Sequence, residues 1–431
     1  MKVLFVYPRF QRHADAHPEL REHVPMNEYL GSPSLGIASL AANTPPGWEI
    51  EMRDDRLRPA DGPTDADLVA LSFFTPAAVR GLELARAFRA QGKLVVAGGI
   101  FPTMMPDEVA PHVDAVVVGE GEALWPRILE DAARGALRPR YVGTGTVDVE
   151  RLPVPDLSLY FAQEGPGFQP DDYPLQISRG CPLTCHACAL PTSMTRQLRV
   201  FPLEHVVGQL EQIRRAGRRA CLTEDTSWFP NSQAKRRLGE LFEHVIEAGS
   251  EAPISYVGIS MPMILCTAPS FFETARRAGV TMFYLVGGFD PITTRAFTGR
   301  HPKALERARA AVAKCLDAGI EPYTSFLLGG DDDDVGTVDR MLEFAEAAGI
   351  RKAEFAIATP YPGTPQWSQL VAQDRILTRD WSRYNDANVV FRPARMTPEE
   401  LTEGYLRLWR GFYADRSDLG ALSEAERTIQ F

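Results

Sequence analysis

Five helical stretches in the second half of the chain end in Ala-Gly, at Ala216-Gly217, Ala248-Gly249, Ala278-Gly279, Ala318-Gly319 and Ala348-Gly349. A glycine just past a helix end supplies the left-handed cap that stops it. The rhythm therefore divides the chain into helices at roughly 203–216, 234–248, 271–278, 305–318 and 335–348, with a sixth at 366–372. Short apolar runs precede them at 175–178, 220–223, 255–259, 282–286, 323–327 and 355–358. Continuous apolar strands alternating with helices imply a parallel sheet covered on both faces. Six such pairs fall short of the eight in a closed TIM barrel.

The first 140 residues show the same alternation in a separate series. Strands are expected at 3–6, 49–52, 67–72, 94–97 and 115–118, and helices at 34–42, 77–90 and 124–133. This predicts an α/β, doubly wound, Rossmann-like sheet, which binds ligands past the carboxyl ends of its strands. The loops there are 72–75, 98–103 and 119–122. Prolines and glycines between 141 and 172 read as a linker. The expected units are thus 1–140, the linker 141–172, a second βα unit at 173–379, and a mainly helical, aromatic-rich region at 380–431.

Composition removes several function classes. With 431 residues and a net charge of −10, no electrostatic footprint for nucleic acid is expected. No apolar run approaches the ~20 residues of a membrane span. The apolar stretch at 1–8 is too short for a signal peptide and reads as a first strand. Six cysteines in so long a chain do not make a disulfide framework, which points to a reducing, cytoplasmic setting.

Three of those cysteines carry chemistry. Cys181-Pro-Leu-Thr-Cys185-His-Ala-Cys188 places thiols at C-x3-C-x2-C spacing just past an expected strand. Soft thiolates suit iron, and a short loop can curl around three corners of a [4Fe–4S] cluster. No fourth cysteine follows nearby, which leaves one iron open to a small molecule. A zinc site completed by His186 or His205 is the competing reading. Cys221, Cys266 and Cys315 stand alone and read as buried core thiols. The triplet resembles the signature of the radical S-adenosylmethionine (SAM) superfamily. The resemblance implies a six-unit partial barrel, with SAM chelating the open iron. It also implies one-electron cleavage of SAM to methionine and a 5′-deoxyadenosyl radical.

A narrower resemblance covers nearly the whole chain. Pro33-Ser-Leu-Gly-Ile-Ala-Ser-Leu-Ala-Ala42, Val95-Val-Ala-Gly-Gly99 with Pro102-Thr103, and Val118-Gly-Glu-Gly-Glu122 look like the cobalamin-binding domain of B12-dependent radical SAM enzymes. Tyr361-Pro-Gly-Thr-Pro365 and Phe391-Arg-Pro393 look like the rest of that family. This implies cobalamin over Ser72, Thr75, Gly98, Gly99, Gly119 and Glu120. The Asp-x-His-x-x-Gly motif of base-off cobalamin domains is missing after the first strand, where Tyr7-Pro-Arg-Phe-Gln-Arg-His13 stands instead. His13 and His17 lie near that position but read as solvated loop residues. The family's commonest activity is methyl transfer, here C-methylation of a small-molecule substrate. Cobalamin-free radical dehydration or epimerisation, as in aminoglycoside diol dehydratases, is the alternative. A non-catalytic iron–sulfur or cobalamin sensor is the third reading. An electron donor such as flavodoxin or ferredoxin is the expected partner.

Around the barrel mouth, Gly287, Gly288 and Asp290 stand where the family holds the SAM ribose. Ser325 lies on the next strand, and Arg199, with Arg196, follows the cluster loop and could pair with the SAM carboxylate or with surface acids. Glu224 and Asp225 follow the second barrel strand and are the candidate acid and base. The acidic run at 331–334 reads as complementing a helix dipole rather than holding a metal.

Overall fold

The computed structural model describes residues 1–20, 34–143, 145–165, 172–222, 232–249, 254–285 and 303–414. Its first unit is a six-stranded parallel sheet in the order β2-β1-β3-β4-β5-β6. The strands are β1 (Lys2–Tyr7), β2 (Glu49–Asp54), β3 (Leu68–Ser72), β4 (Leu94–Gly98), β5 (Ala115–Val118) and β6 (Arg140–Val142). Each of the first five lies where the apolar runs place it. The sixth extends into the expected linker, because Val116–Val118 pairs in register with Arg140–Val142. Helices Leu35–Ala42, Ala78–Ala90 and Trp125–Ala133 cover the sheet. The order reverses between β1 and β3, which opens a crevice at their carboxyl ends.

The second unit is a six-stranded parallel sheet in the order β14-β13-β12-β11-β10-β7, an open half-barrel. Its strands are β7 (Asp172–Pro174), β10 (Arg219–Leu222), β11 (Ile254–Ile259), β12 (Met282–Leu285), β13 (Glu321–Leu328) and β14 (Lys352–Ile357). Five helices behind it end at the Ala-Gly pairs, and Gly217, Gly249, Gly279, Gly319 and Gly349 all have φ between 59° and 94°. Outward-facing Phe283 meets Phe272, and outward-facing Phe355 meets Trp409 and Phe412 of the C-terminal helix Pro398–Tyr413. Strand alternation then turns Tyr284, Tyr323, Ser325 and Glu354 towards the lumen.

Three expectations need correction. The first barrel strand is 172–174 rather than 175–178. Beyond Pro174 the chain leaves the barrel, and β8 (Ser178–Arg179) pairs antiparallel with β9 (Arg199–Val200), closing the cysteine loop into a hairpin. The acids at 331–334 precede their helix, which begins only at Thr337. They form a turn in which Asp333 accepts from the N–H groups of Gly329 and Gly330, while Asp331, Asp332 and Asp334 pair with Arg375, Arg395 and Arg340. Cys266 is exposed rather than core, at the end of a short helix, Met261–Cys266, that the sequence rhythm did not reveal; Cys221 and Cys315 are buried. The C-terminal region holds one long helix among its described residues, closed by a Thr397–Glu400 capping box, with irregular chain between Tyr384 and Thr397. No helix among the described residues is long and apolar enough to cross a membrane.

Candidate functional site

A cavity of about 500 Å³ opens at the crevice of the first sheet. Ser72, Gly98, Gly99, Gly119 and Glu120 line it, at the ends of β3, β4 and β5. Thr75 is buried in the following turn and is not part of that wall. Gly99 must be glycine: its φ is 99°, and a Cβ there would meet the Phe73 carbonyl oxygen at 2.8 Å. Thr103 Oγ1 accepts from the Gly119 N–H at 3.0 Å, fixing the loop after β5. Among the described residues the cavity wall contains no histidine or cysteine, and His17 is turned away to the Ala387 carbonyl at 2.8 Å.

The opposite wall comes from the cysteine hairpin. Leu190, Ser193 and Met194, just after Cys188, face the same cavity. Cys181 is buried and its N–H donates to the Thr195 carbonyl at 3.1 Å; Cys188 N–H donates to the Cys185 carbonyl at 3.3 Å. The turn before them depends on Gly180, at φ 88°, where any Cβ would collide with the Gln197 carbonyl. Burial, with Cys181 adding to it, pushes the Cys185 thiol above its ordinary value, and burial does the same to Cys188. Without metal, these groups favour the neutral thiol. The Ser193 and Thr195 hydroxyl oxygens are buried without a partner among the described residues, and Thr195 stands at φ 111°. Unpaired buried hydroxyls cost stability unless something else meets them, so this hairpin suits a polar ligand.

No group of three or more His, Cys, Asp or Glu side chains among the described residues converges on a single ion. A four-iron cluster takes each thiolate on a different iron. The two histidines offered for zinc are engaged elsewhere. His205 contacts the Pro153 carbonyl at 3.1 Å and stacks on Phe201, and His186 contacts Gln369 Oε1 at 2.9 Å.

A buried ion network joins the two walls. Arg199, offered by the sequence for the SAM carboxylate, instead grips Glu120 with both terminal nitrogens, at 2.8 and 2.9 Å. Arg179 donates to Glu122 at 2.7 Å and reaches Glu120 at 3.4 Å. Ser39 donates to Glu122 at 3.1 Å. Burial is the strongest single influence and would raise the Glu122 carboxyl, but the Arg179 charge together with hydrogen bonds from Arg179, Ser39 and the backbone holds the group below its ordinary value. Arg179 was not singled out from sequence, and Glu122 entered only as the end of the Val118-Gly-Glu-Gly-Glu122 motif, with no role of its own. The position of Arg179, two residues before Cys181, was the one available signal.

The barrel mouth holds a second pair that sequence reasoning missed. Asp386, at φ 62°, accepts from the Tyr361 hydroxyl at 2.9 Å, and its carbonyl accepts from Ile357 N–H at the end of β14. The turn carrying Tyr361 reaches the cysteine loop through Gln366, whose N–H donates to the His186 carbonyl at 3.1 Å. Burial pushes the Asp386 carboxyl up to about 6, against the opposing hydrogen bonds of Tyr361 and Thr359. A carboxyl raised on folding holds its proton more tightly in the folded state, so it favours folding below its folded value and loses that contribution as pH rises through it. Relative to Asp386→Asn, the wild-type urea midpoint is expected to increase as pH falls from about 7 to about 4, mostly below 6. Parallel pH profiles in the two proteins would count against it. Deeper in the lumen, Glu354 accepts from Tyr323 at 3.0 Å and from Tyr284. Ser325 is buried beside Glu354 in register. Glu224, Asp225, Gly287, Gly288 and Asp290 lie outside the described residues.

Two domain families match the chain: the B12 binding domain over residues 32–129 and the Radical SAM superfamily over residues 175–345. Bacteriochlorophyllide d C-8(2)-methyltransferase of Chlorobaculum tepidum is 27% identical over 378 residues, covering 84% of this chain and 82% of that one. Hopanoid C-2 methylase of Rhodopseudomonas palustris is 23% identical over 395 residues, covering 88% and 72%. Among solved structures, the radical S-adenosylmethionine methyltransferase TsrM from Kitasatospora setae, with cobalamin and a [4Fe-4S] cluster bound, superposes with a TM-score of 0.66 at 16% identity, over 99% of this chain and 89% of that one. At that identity the likeness concerns the fold.

Proposed function

We propose that this chain, a radical SAM enzyme with an N-terminal B12-binding domain, methylates a carbon of a small-molecule substrate. The observation that carries the reading is the shared cavity: the loops suited to cobalamin and the residues that follow the three cysteines wall the same space. When bound, the [4Fe–4S] cluster and SAM supply a hydrogen-abstracting radical, and cobalamin supplies a methyl group. The names of the relatives support methylation over dehydration. Their substrates, a bacteriochlorophyllide and a hopanoid, differ too much to identify this one.

In this reading Cys181, Cys185 and Cys188 hold three irons. Ser72, Gly98, Gly99 and Gly119 would let the corrinoid approach the backbone, and the described cavity wall offers no imidazole to its metal. Ser193 and Thr195 supply hydroxyls to polar groups of the bound cofactors. Glu120 and Arg199 position the two walls rather than touch SAM, and Arg179 and Glu122 share that role. Ser325 faces the SAM side of the lumen. Gly287, Gly288 and Asp290 are assigned to the SAM ribose, and Glu224 and Asp225 to substrate acid–base work, on sequence grounds. An electron donor such as flavodoxin or ferredoxin would reduce the cluster. The proposed domains run 1–140, 173–379 and 380–431 about the linker 141–172, with the first sheet reaching Val142.

The test is product stoichiometry. Such a methyltransferase uses one SAM for the radical and one to remethylate cobalamin, so reconstituted enzyme with substrate should release S-adenosylhomocysteine and 5′-deoxyadenosine in equal amounts. 5′-Deoxyadenosine without matching S-adenosylhomocysteine would transfer the assignment to dehydration or epimerisation.

A further inference from the structure

A second cavity, of about 560 Å³, lies between the loops that follow β1 and β2 and the first turns of helix Ala78–Ala90. We propose that it is a binding site for an anionic small molecule, recognised through a carboxylate or phosphate group. It lies past the carboxyl ends of two parallel strands, where such sheets receive ligands. The proposal stands apart from the methylation reading and does not depend on it.

Five arginines line this space against three carboxylates, in a chain whose net charge is −10. They fall into two groups. Arg12, Arg56 and Arg80 are largely buried and held in place: Arg12 by Asp15 at 3.1 Å, Arg56 by Asp54 at 2.7 Å, and Arg80 by Asp55 at 2.8 and 2.9 Å. Asp54 and Asp55 are themselves almost fully buried, with side chains 1% and 0% exposed. Arg9 and Arg58 form the other group. Arg9 is more than half exposed, and among the described residues its one ion contact is a long 3.9 Å approach to Asp55. Arg58 is exposed and has no carboxylate within ion-pair distance among the described residues. Pre-positioned guanidinium groups beside exposed ones match the planar, bidentate recognition of carboxylate and phosphate. Phe10, Leu57, Pro59, Pro76 and Val79 add apolar wall, which fits an organic anion better than a bare ion.

The site is separate from the cobalamin cavity. Phe10 belongs to the cationic cavity and Phe74 to the other, and their rings meet edge to face at 4.8 Å, forming a partition. It is nevertheless close to the barrel mouth, because Gln11 lines it and accepts from Asn385, the neighbour of Asp386, at 3.1 Å.

The experiment titrates the enzyme, loaded with cluster and hydroxocobalamin, with sodium pyrophosphate and with citrate by calorimetry. One-to-one binding of either probe is expected; pyrophosphate preference identifies phosphate chemistry and citrate preference identifies carboxylate chemistry. The double variant R9E/R58E should weaken binding by at least about tenfold, or 1.4 kcal/mol, while retaining its corrinoid absorbance. If the double variant fails to fold, R58Q alone, at an exposed position, should still weaken binding by a few-fold. The proposal is overturned if neither probe binds, or if binding survives these substitutions unchanged. Binding confined to corrinoid-free protein would also overturn it, because the site would then belong to the phosphodiester of cobalamin.

Discussion

Replacing Cys181, Cys185 or Cys188 with Ala is expected to bring bound iron and sulfide to background and to slow SAM cleavage by about a thousandfold or more, roughly 4 kcal/mol of barrier. Each thiolate would hold a different iron, so none can substitute for another. The hairpin gives the loss a local character. β8 and β9 close the loop through backbone pairing, and the Cys181 N–H is bonded to Thr195, none of which depends on the thiol groups. The Ala variants should therefore fold and still take up hydroxocobalamin while failing to assemble a cluster. Measurements are iron and sulfide content, the visible absorbance of the cluster, and 5′-deoxyadenosine formation under reducing, anaerobic conditions. A variant lacking all three cysteines that still carries a full cluster and cleaves SAM would refute the assignment.

The second large effect is expected at Arg179. Arg179→Met leaves the buried Glu122 carboxylate, among the described residues, with the Ser39 hydroxyl and its own backbone N–H, and leaves Glu120 to Arg199 and the Val147 N–H. Removing one partner of a buried ion pair typically costs about 3–5 kcal/mol, because the other charge remains without water. The cost falls on the junction between the two sheets, so corrinoid retention should drop and local proteolysis between the units should rise. The double variant R179M/E122M should recover most of that loss, since replacing both charges with apolar groups of similar size is often neutral. Full corrinoid retention in the single variant would show that the network is not what holds the walls together. A double variant as impaired as the single one would point to a direct contact between Arg179 and the cofactor.

How much of this was legible in the residues depends on the range of the interaction concerned. The helix ends were readable because a left-handed cap is a local backbone requirement, and all five Ala-Gly glycines adopt it. Five strands of each sheet were readable because strands buried on both faces need continuous apolar runs, while β6 and β7, three residues each, were not. The cysteine spacing was readable for the same reason: cluster ligation within one loop is encoded within one loop. Local pattern misled at three points. At 175–178 apolar composition marks burial of Leu175 and Ile177, while pairing with β10 places the strand at 172–174. At 331–334 the acids answer arginines 375, 395 and 340, none of them adjacent. Cys266, read as a core thiol, is exposed at a helix end.

The tertiary structure alone decided which residues share a space. Glu120 and Arg199 are 79 positions apart, and nothing local links a Gly-Glu-Gly-Glu turn to a residue past the cysteine loop. Their pairing follows from docking one sheet's carboxyl edge against the hairpin of the other unit, which also turns Leu190, Ser193 and Met194 into the far wall of the first cavity. Asp386 and Tyr361 meet for the same reason, since the chain after residue 380 returns across the end of β14. The arginine cavity is likewise assembled from three loops and a helix turn. Charge clustering of this kind is set by distance through space, which a residue order specifies only once the chain is folded.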